Sequence, residues 1–210
     1  MGWNRARLFL RILVLQGCIA TAASPKQLSA QSTSGTSSSN HLAYRVRGTE
    51  WGWNGGGAAG IAGGSSDSRF WTLNLRWGRV LTDLHGPALV RGNLEYAVEL
   101  VPALAIQQSS TVFGAGITPM LFQYNLDYTR RLVPFLQAGA GTLFTTEKVP
   151  ENTSQINFTP QGGIGVYWFR RPHSALVMGV RYHHISNAGI AKPNPGHNGL
   201  YVYTGISWWR

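Results

Sequence analysis

From residue 41 onward, apolar and polar side chains alternate with a period of two, and turn residues interrupt the pattern at intervals that suit strands of ten residues or more. Eight strand segments are predicted, at about 42–58, 69–81, 88–106, 111–126, 132–148, 155–170, 174–189 and 198–210. No segment carries a helical stripe. Between residues 71 and 81, Trp71, Leu73, Leu75, Trp77 and Leu81 fall on one face, opposite Thr72, Asn74, Arg76 and Gly78. Over 94–106, Leu94, Tyr96, Val98, Leu100, Pro102, Leu104 and Ile106 share a face, opposite Asn93, Glu95, Ala97, Glu99, Ala103 and Ala105. Over 155–168, Ile156, Phe158, Pro160, Ile164, Val166 and Trp168 oppose Asn157, Thr159, Gln161, Gly163, Gly165 and Tyr167.

Long strands without helices suggest a closed sheet, and the faces decide its type. The polar faces mix small residues with carboxylates, arginines and amides. That mixture suits the narrow lumen of an eight-stranded barrel, with Glu95 or Glu99 pairing to Arg76 or Arg181 and the bulky faces turned to lipid. The fold predicted is all-β, an eight-stranded antiparallel up-and-down transmembrane barrel over residues 41–210. The alternative is a soluble lipid-binding barrel in the periplasm, with the bulky faces turned inward around a ligand.

Composition supports the membrane reading. Only 12% of residues are charged, while Gly numbers 26 and Trp, Tyr and Phe eight each. An ordinary soluble domain carries about twice that share of charge. No run of about 20 apolar residues, which a membrane-crossing helix needs, is present.

Residues 1–30 read as a signal peptide, with Arg5 and Arg7 ahead of an apolar stretch from Leu8 to Ala23 and small residues after it. Cys18, the sole cysteine, lies in Leu15-Gln16-Gly17-Cys18, somewhat like a bacterial lipoprotein box with a poor residue at Gln16; a plain leader is preferred. Residues 31–40 are predicted to form a flexible Ser-rich linker. The formal charge of +10 shrinks once the leader is set aside. Four of the eighteen basic residues precede residue 31, leaving fourteen against eight acidic ones, a net of +6. These are not gathered into a basic stripe, and a nucleic-acid partner is excluded on that ground. Arg130, Arg131, Arg170 and Arg171 fall in predicted periplasmic turns as headgroup anchors.

The segment 181–189, Arg-Tyr-His-His-Ile-Ser-Asn-Ala-Gly, carries the candidate chemistry. Alternation puts Leu176, Met178, Val180, Tyr182, His184 and Ser186 on the lipid face, and Val177, Gly179, Arg181 and His183 inside. Asn198 falls in the outward series of the neighbouring last strand and can approach both His184 and Ser186. A histidine beside a serine, oriented by a third group, is the minimum for nucleophilic acyl transfer. Polar side chains at headgroup depth are also ordinary, so spacing alone leaves both readings open. His183 is predicted to join an interior polar network. His197 is predicted to lie in a solvated loop, within reach of a headgroup phosphate.

The stretch Tyr182 to Gly189, with the downstream Pro193-Asn194 and Gly196, resembles the signature of the lipid A 3-O-deacylase (PagL-type) family, also known as acyloxyacyl hydrolases. The weaker likeness in strands and glycines runs over about 41–210. The resemblance implies a Gram-negative outer-membrane barrel that hydrolyses the ester-linked acyl chain at position 3 of lipid A, with lipopolysaccharide as substrate and no metal or organic cofactor. It makes Ser186 the nucleophile and His184 the general base, with Asn187 and the Gly189 amide as oxyanion donors. In the best-known members a Glu stands where this chain has Asn198. An amide cannot stabilise an imidazolium by charge, but it can accept the ring N–H and fix the tautomer, as Asn does in Cys-His-Asn proteases. With both termini periplasmic, the seventh strand ends at the cell surface, where lipopolysaccharide lies. A homodimer is left open. The competing reading is a non-catalytic outer-membrane barrel, serving adhesion or membrane integrity, with a decayed site.

Overall fold

The computed structural model describes residues 43–45, 47–61 and 68–210. The leader over 1–30, Cys18 within it and the linker over 31–40 lie outside the described residues. Eight antiparallel strands follow one another: β1 (Thr49–Gly60), β2 (Arg69–Val80), β3 (Gly92–Gln107), β4 (Thr111–Leu126), β5 (Leu132–Thr145), β6 (Ile156–Arg171), β7 (Ser174–Ile185) and β8 (His197–Trp209). Each pairs with its neighbour in sequence, and β1 pairs with β8, so the sheet closes and no edge remains unpaired. Strands of twelve to sixteen residues exceed the roughly 9–11 that a tilted strand needs to span a bilayer.

The alternation predicted from sequence divides the two sides of this wall. Outward lie Trp51, Leu73, Leu75, Phe122, Leu136, Ile164, Met178 and Val202, all exposed. Inward lies a fully buried ionic cluster. Arg76 contacts Glu50 at 2.6 Å, Glu95 at 2.9 Å and Glu99 at 3.3 Å, while Arg181 grips Glu99 through two bonds of 2.6 and 2.8 Å. Tyr167 donates to Glu50 at 2.9 Å. A barrel that wraps charge inside and leaves bulky apolar groups outside is built for lipid, not for water. The soluble ligand-binding barrel is therefore overturned: its apolar faces would have to point inward.

Three local departures have physical causes. In β3 the pairing with β4 shifts between Val101 and Leu104. Pro102 and Ala103 both face outward there, after which Leu104 and Ile106 turn inward and are buried, against the predicted lipid-facing position. An extra residue on one strand reverses the alternation beyond it, and proline, with no N–H for the ladder, sits where such a bulge forms. Residues 43–45, predicted as strand, instead form a single 3-10 turn before β1. It tucks Tyr44 into the mouth where β1 begins and β8 ends, 5.4 Å from Phe169 and 6.4 Å from Trp209 by ring centroids. Arg45 pairs with Asp127 beside it. Ala88–Val90 is likewise a 3-10 turn rather than the start of the third strand. Arg130, Arg131, Arg170 and Arg171 are exposed at that same mouth.

Candidate functional site

The site lies at the opposite mouth, on the outer wall where β7 gives way to the 186–196 loop. Leu176 to His184 keep the even residues of β7 outward, and Tyr182 and His184 end that series. The strand stops at Ile185, four residues short of its predicted end. Ser186 stays in line through a single bridge to Phe158 of β6: its N–H donates to the Phe158 carbonyl at 3.1 Å, and the Phe158 N–H to its own carbonyl at 2.7 Å. This backbone pairing continues the outward alternation to Ser186, two residues beyond His184.

His184 and Asn198 stand directly opposite each other in the β7–β8 register. Their side chains meet, with His184 Nδ1 2.6 Å from Asn198 Oδ1. A carbonyl oxygen only accepts, so Nδ1 carries the ring proton and Nε2 presents a lone pair. Tyr182 Oη donates to the same Oδ1 at 2.7 Å. The sequence reading brought His184, Ser186 and Asn198 to one face; it did not give Tyr182 a role. The only signal was its place two residues before His184 on that face.

After Ser186 the chain turns sharply. Ala188 and Gly189 are both left-handed, at φ of +53° and +82°. Asn187, fully buried, braces the turn: its Oδ1 accepts the Gly189 N–H at 2.8 Å, its Nδ2 donates to the Ala191 carbonyl at 3.0 Å, and its own N–H donates to Asn194 Oδ1 at 3.2 Å. The two residues read as oxyanion donors are thus neighbours, with the Gly189 amide turned onto Asn187. A short asparagine side chain that bonds its own backbone two residues on is what makes such a turn stable.

Gly196 closes the loop. Its φ is +66°, and a Cβ there would lie 2.8 Å from His184 Cε1 and 3.4 Å from Nε2. Glycine is required twice over, by the backbone conformation and by the ring that lies against it. Gly196→Ala is expected to displace the imidazole and lower ester turnover by about tenfold or more, since misplacement near 1 Å costs that much or more. Heat-modifiable gel migration should stay unchanged, showing that the barrel still forms.

Of the two histidines that neighbour the site in sequence, His197 and His183, the first differs from its predicted setting. His197 is not in a solvated loop: it opens β8, buried, 6.2 Å from the Phe70 ring, because the strand starts one residue earlier than expected. His183 faces inward as predicted, between the rings of Phe70 and Tyr201 at 5.6 and 5.7 Å and close enough to Arg181 and Glu99 to feel their charges.

Comparison with known proteins adds the family. The family model described as lipid A 3-O-deacylase (PagL) matches residues 62–207. The chain belongs to this family. The match takes in β2 to β7 whole, β8 as far as Ser207, and the whole 182–198 region. Among solved structures, the barrel is similar to the outer membrane enzyme PagL, with a TM-score of 0.57 at 18% identity over 74% of this chain and 97% of that one. It is also similar to the outer membrane protein OprG from Pseudomonas aeruginosa, with a TM-score of 0.51 at 10% identity over 80% and 98%. At such identities the likeness shows the fold alone. A comparison with curated protein sequences gives no match. Family and fold together make this PagL-family chain a Gram-negative outer-membrane barrel of the lipid A deacylase type.

Proposed function

We propose that this chain is a serine esterase that removes the 3-O-linked acyl chain from lipid A of lipopolysaccharide. The observation that carries the reading is the His184–Asn198 contact of 2.6 Å on the lipid-facing wall, with Ser186 next on the same face. Polar groups on a lipid-facing surface are costly unless they serve a purpose. With both termini periplasmic, β7 rises to the outer leaflet, and the substrate ester reaches the site sideways from the membrane.

In the proposed reaction, Ser186 Oγ attacks the ester carbonyl as His184 Nε2 takes its proton. Negative charge gathers on the carbonyl oxygen and is met by Asn187 Nδ2 and the Gly189 N–H, released from the Ala191 carbonyl and from Asn187 Oδ1 respectively. Imidazolium then returns the proton to the departing sugar oxygen, leaving the sugar hydroxyl free and the acyl group on Ser186. Water, deprotonated by His184, hydrolyses that acyl-enzyme and liberates the fatty acid. Asn198 holds the ring throughout in the Nδ1–H form. The residues named all belong to one chain, so this chemistry requires no second copy.

Purified protein reconstituted with lipid A tests the regiochemistry. Tandem mass spectrometry should show a product short of one acyl chain, with the free hydroxyl at position 3 of the glucosamine. Loss from the 2-linked amide, or no loss, contradicts the proposal. Asn198→Glu is expected to raise turnover several-fold, because a carboxylate stabilises the imidazolium that an amide only orients. Unchanged or lower turnover in a folded Asn198→Glu barrel counts against the orienting role.

A further inference from the structure

Asn198 is a carboxamide, and a carboxamide has two unlike ends. With Oδ1 toward His184, the ring must hold its proton on Nδ1, and Nε2 is free to accept. With Nδ2 there instead, Nδ1 must accept, the proton moves to Nε2, and the ring can no longer act as a base toward Ser186. Neutral imidazole satisfies either end, so the His184–Asn198 contact does not by itself select the useful one. A third group has to choose.

That group is within reach. Tyr182 Oη lies 2.7 Å from the same Asn198 Oδ1 that receives His184. A phenol donates a hydrogen bond more strongly than it accepts one, because its oxygen lone pair is shared with the ring. A tyrosine at this junction therefore favours the amide oxygen there over the amide nitrogen. The backbone fixes its reach: Tyr182 is paired to Gly162 on one side and Leu200 on the other, two residues from His184 on the same face.

We propose that Tyr182 is a positioning residue whose hydroxyl holds the Asn198 carboxamide with its oxygen on His184, and thereby holds His184 in the tautomer a general base needs. The role rests on the reading of His184 as base given above. A carboxylate in place of Asn198 would present two equivalent oxygens and would need no such selection. Tyr182 is also 42% exposed on the lipid-facing wall, where a tyrosine is an ordinary interfacial side chain. The test must separate these two roles.

Tyr182→Phe keeps the ring and its apolar area and removes only the hydroxyl. Nitrogen NMR of ring-labelled protein in micelles reports the tautomer directly, with the His184 signals assigned by their loss in His184→Gln. The wild type should show the Nδ1–H form, and Tyr182→Phe a substantial growth of the Nε2–H form. A His184 that keeps the Nδ1–H form in Tyr182→Phe overturns the proposal. In ester hydrolysis, kcat of Tyr182→Phe should fall by about tenfold with KM within about twofold, the pattern of a lost tautomer rather than lost binding. In an Asn198→Glu background the same change should alter kcat by less than about twofold. An equal fall in both backgrounds, or an effect confined to KM, assigns Tyr182 to lipid contact and overturns the proposal. The spectroscopic arm needs no turnover. An inactive wild type with a tautomer shift in Tyr182→Phe therefore sinks the esterase reading alone, whereas an active wild type without the shift sinks the tyrosine's role alone.

Discussion

Ser186→Ala is expected to lower the rate of lipid A deacylation by about 10³-fold or more, and His184→Ala by a comparable factor. The two losses should not multiply. Nucleophile and base act as one unit, so the double variant should be no slower than either single one. The residual rate would come from binding and from the donors around Asn187 and Gly189. Neither substitution touches the lumen: Ser186 is held by backbone pairing to Phe158, and the His184 ring lies on the outer wall. Both variants should therefore fold and show unchanged heat-modifiable migration. If either retains more than about a tenth of wild-type kcat, acyl transfer does not run through that side chain.

Arg76→Met is expected to be the most damaging single change to the barrel itself. The Arg76 guanidinium contacts three buried carboxylates, and Arg181 serves only Glu99 among them. Removing Arg76 leaves Glu50 and Glu95 without a counter-charge in a water-poor lumen. Breaking a buried ionic group from one side costs about 3–5 kcal/mol. Urea unfolding in lipid vesicles should show that loss, and adding Glu50→Gln with Glu95→Gln should restore much of it. A surface control sets the scale: Arg47 and Asp83 also form an ion pair, at 3.3 Å, but both are largely exposed. Arg47→Met should cost less than about 1 kcal/mol. Equal losses for Arg76→Met and Arg47→Met would contradict the view that lumen charge holds the strands together.

Much of this architecture is written in the alternation of side chains. The even face of β7 is legible from Leu176 to Ser186 because a two-residue period leaves no choice once one position is known. The same rule puts Asn198 on the outward face of the last strand, within reach of His184 and Ser186; that it stands directly opposite His184 comes from the β7–β8 register. The rule misleads over Leu104 and Ile106, since a bulge at Pro102–Ala103 reverses every position after it and only the pairings with β2 and β4 show where the extra residue is absorbed. Sequence predicts strand around Tyr44, where a 3-10 turn stands, because an aromatic among polar residues fits a strand edge as well as a barrel plug. Glu50 reaches Arg76 diagonally across the adjacent β1–β2 pair, where Gly52 stands opposite Arg76 and Glu50 opposite Gly78, a register that alternation alone does not supply. At the site, residue types and spacing named His184 and Ser186. The choice between the two ends of an amide depends on a hydroxyl 2.7 Å away, which no spacing encodes. Gly196 stood in the motif from the start, but its reason, the imidazole lying against it, is visible only in the folded loop.

The central claim is that Ser186 on the outer wall opens an ester of lipid A. Mass spectra of lipid A from Gram-negative cells expressing the wild type and Ser186→Ala at matched outer-membrane levels test it most directly. The wild type should convert lipid A to a species lighter by one ester-linked acyl chain, and Ser186→Ala should leave it intact. Identical lipid A from the two strains would contradict the account.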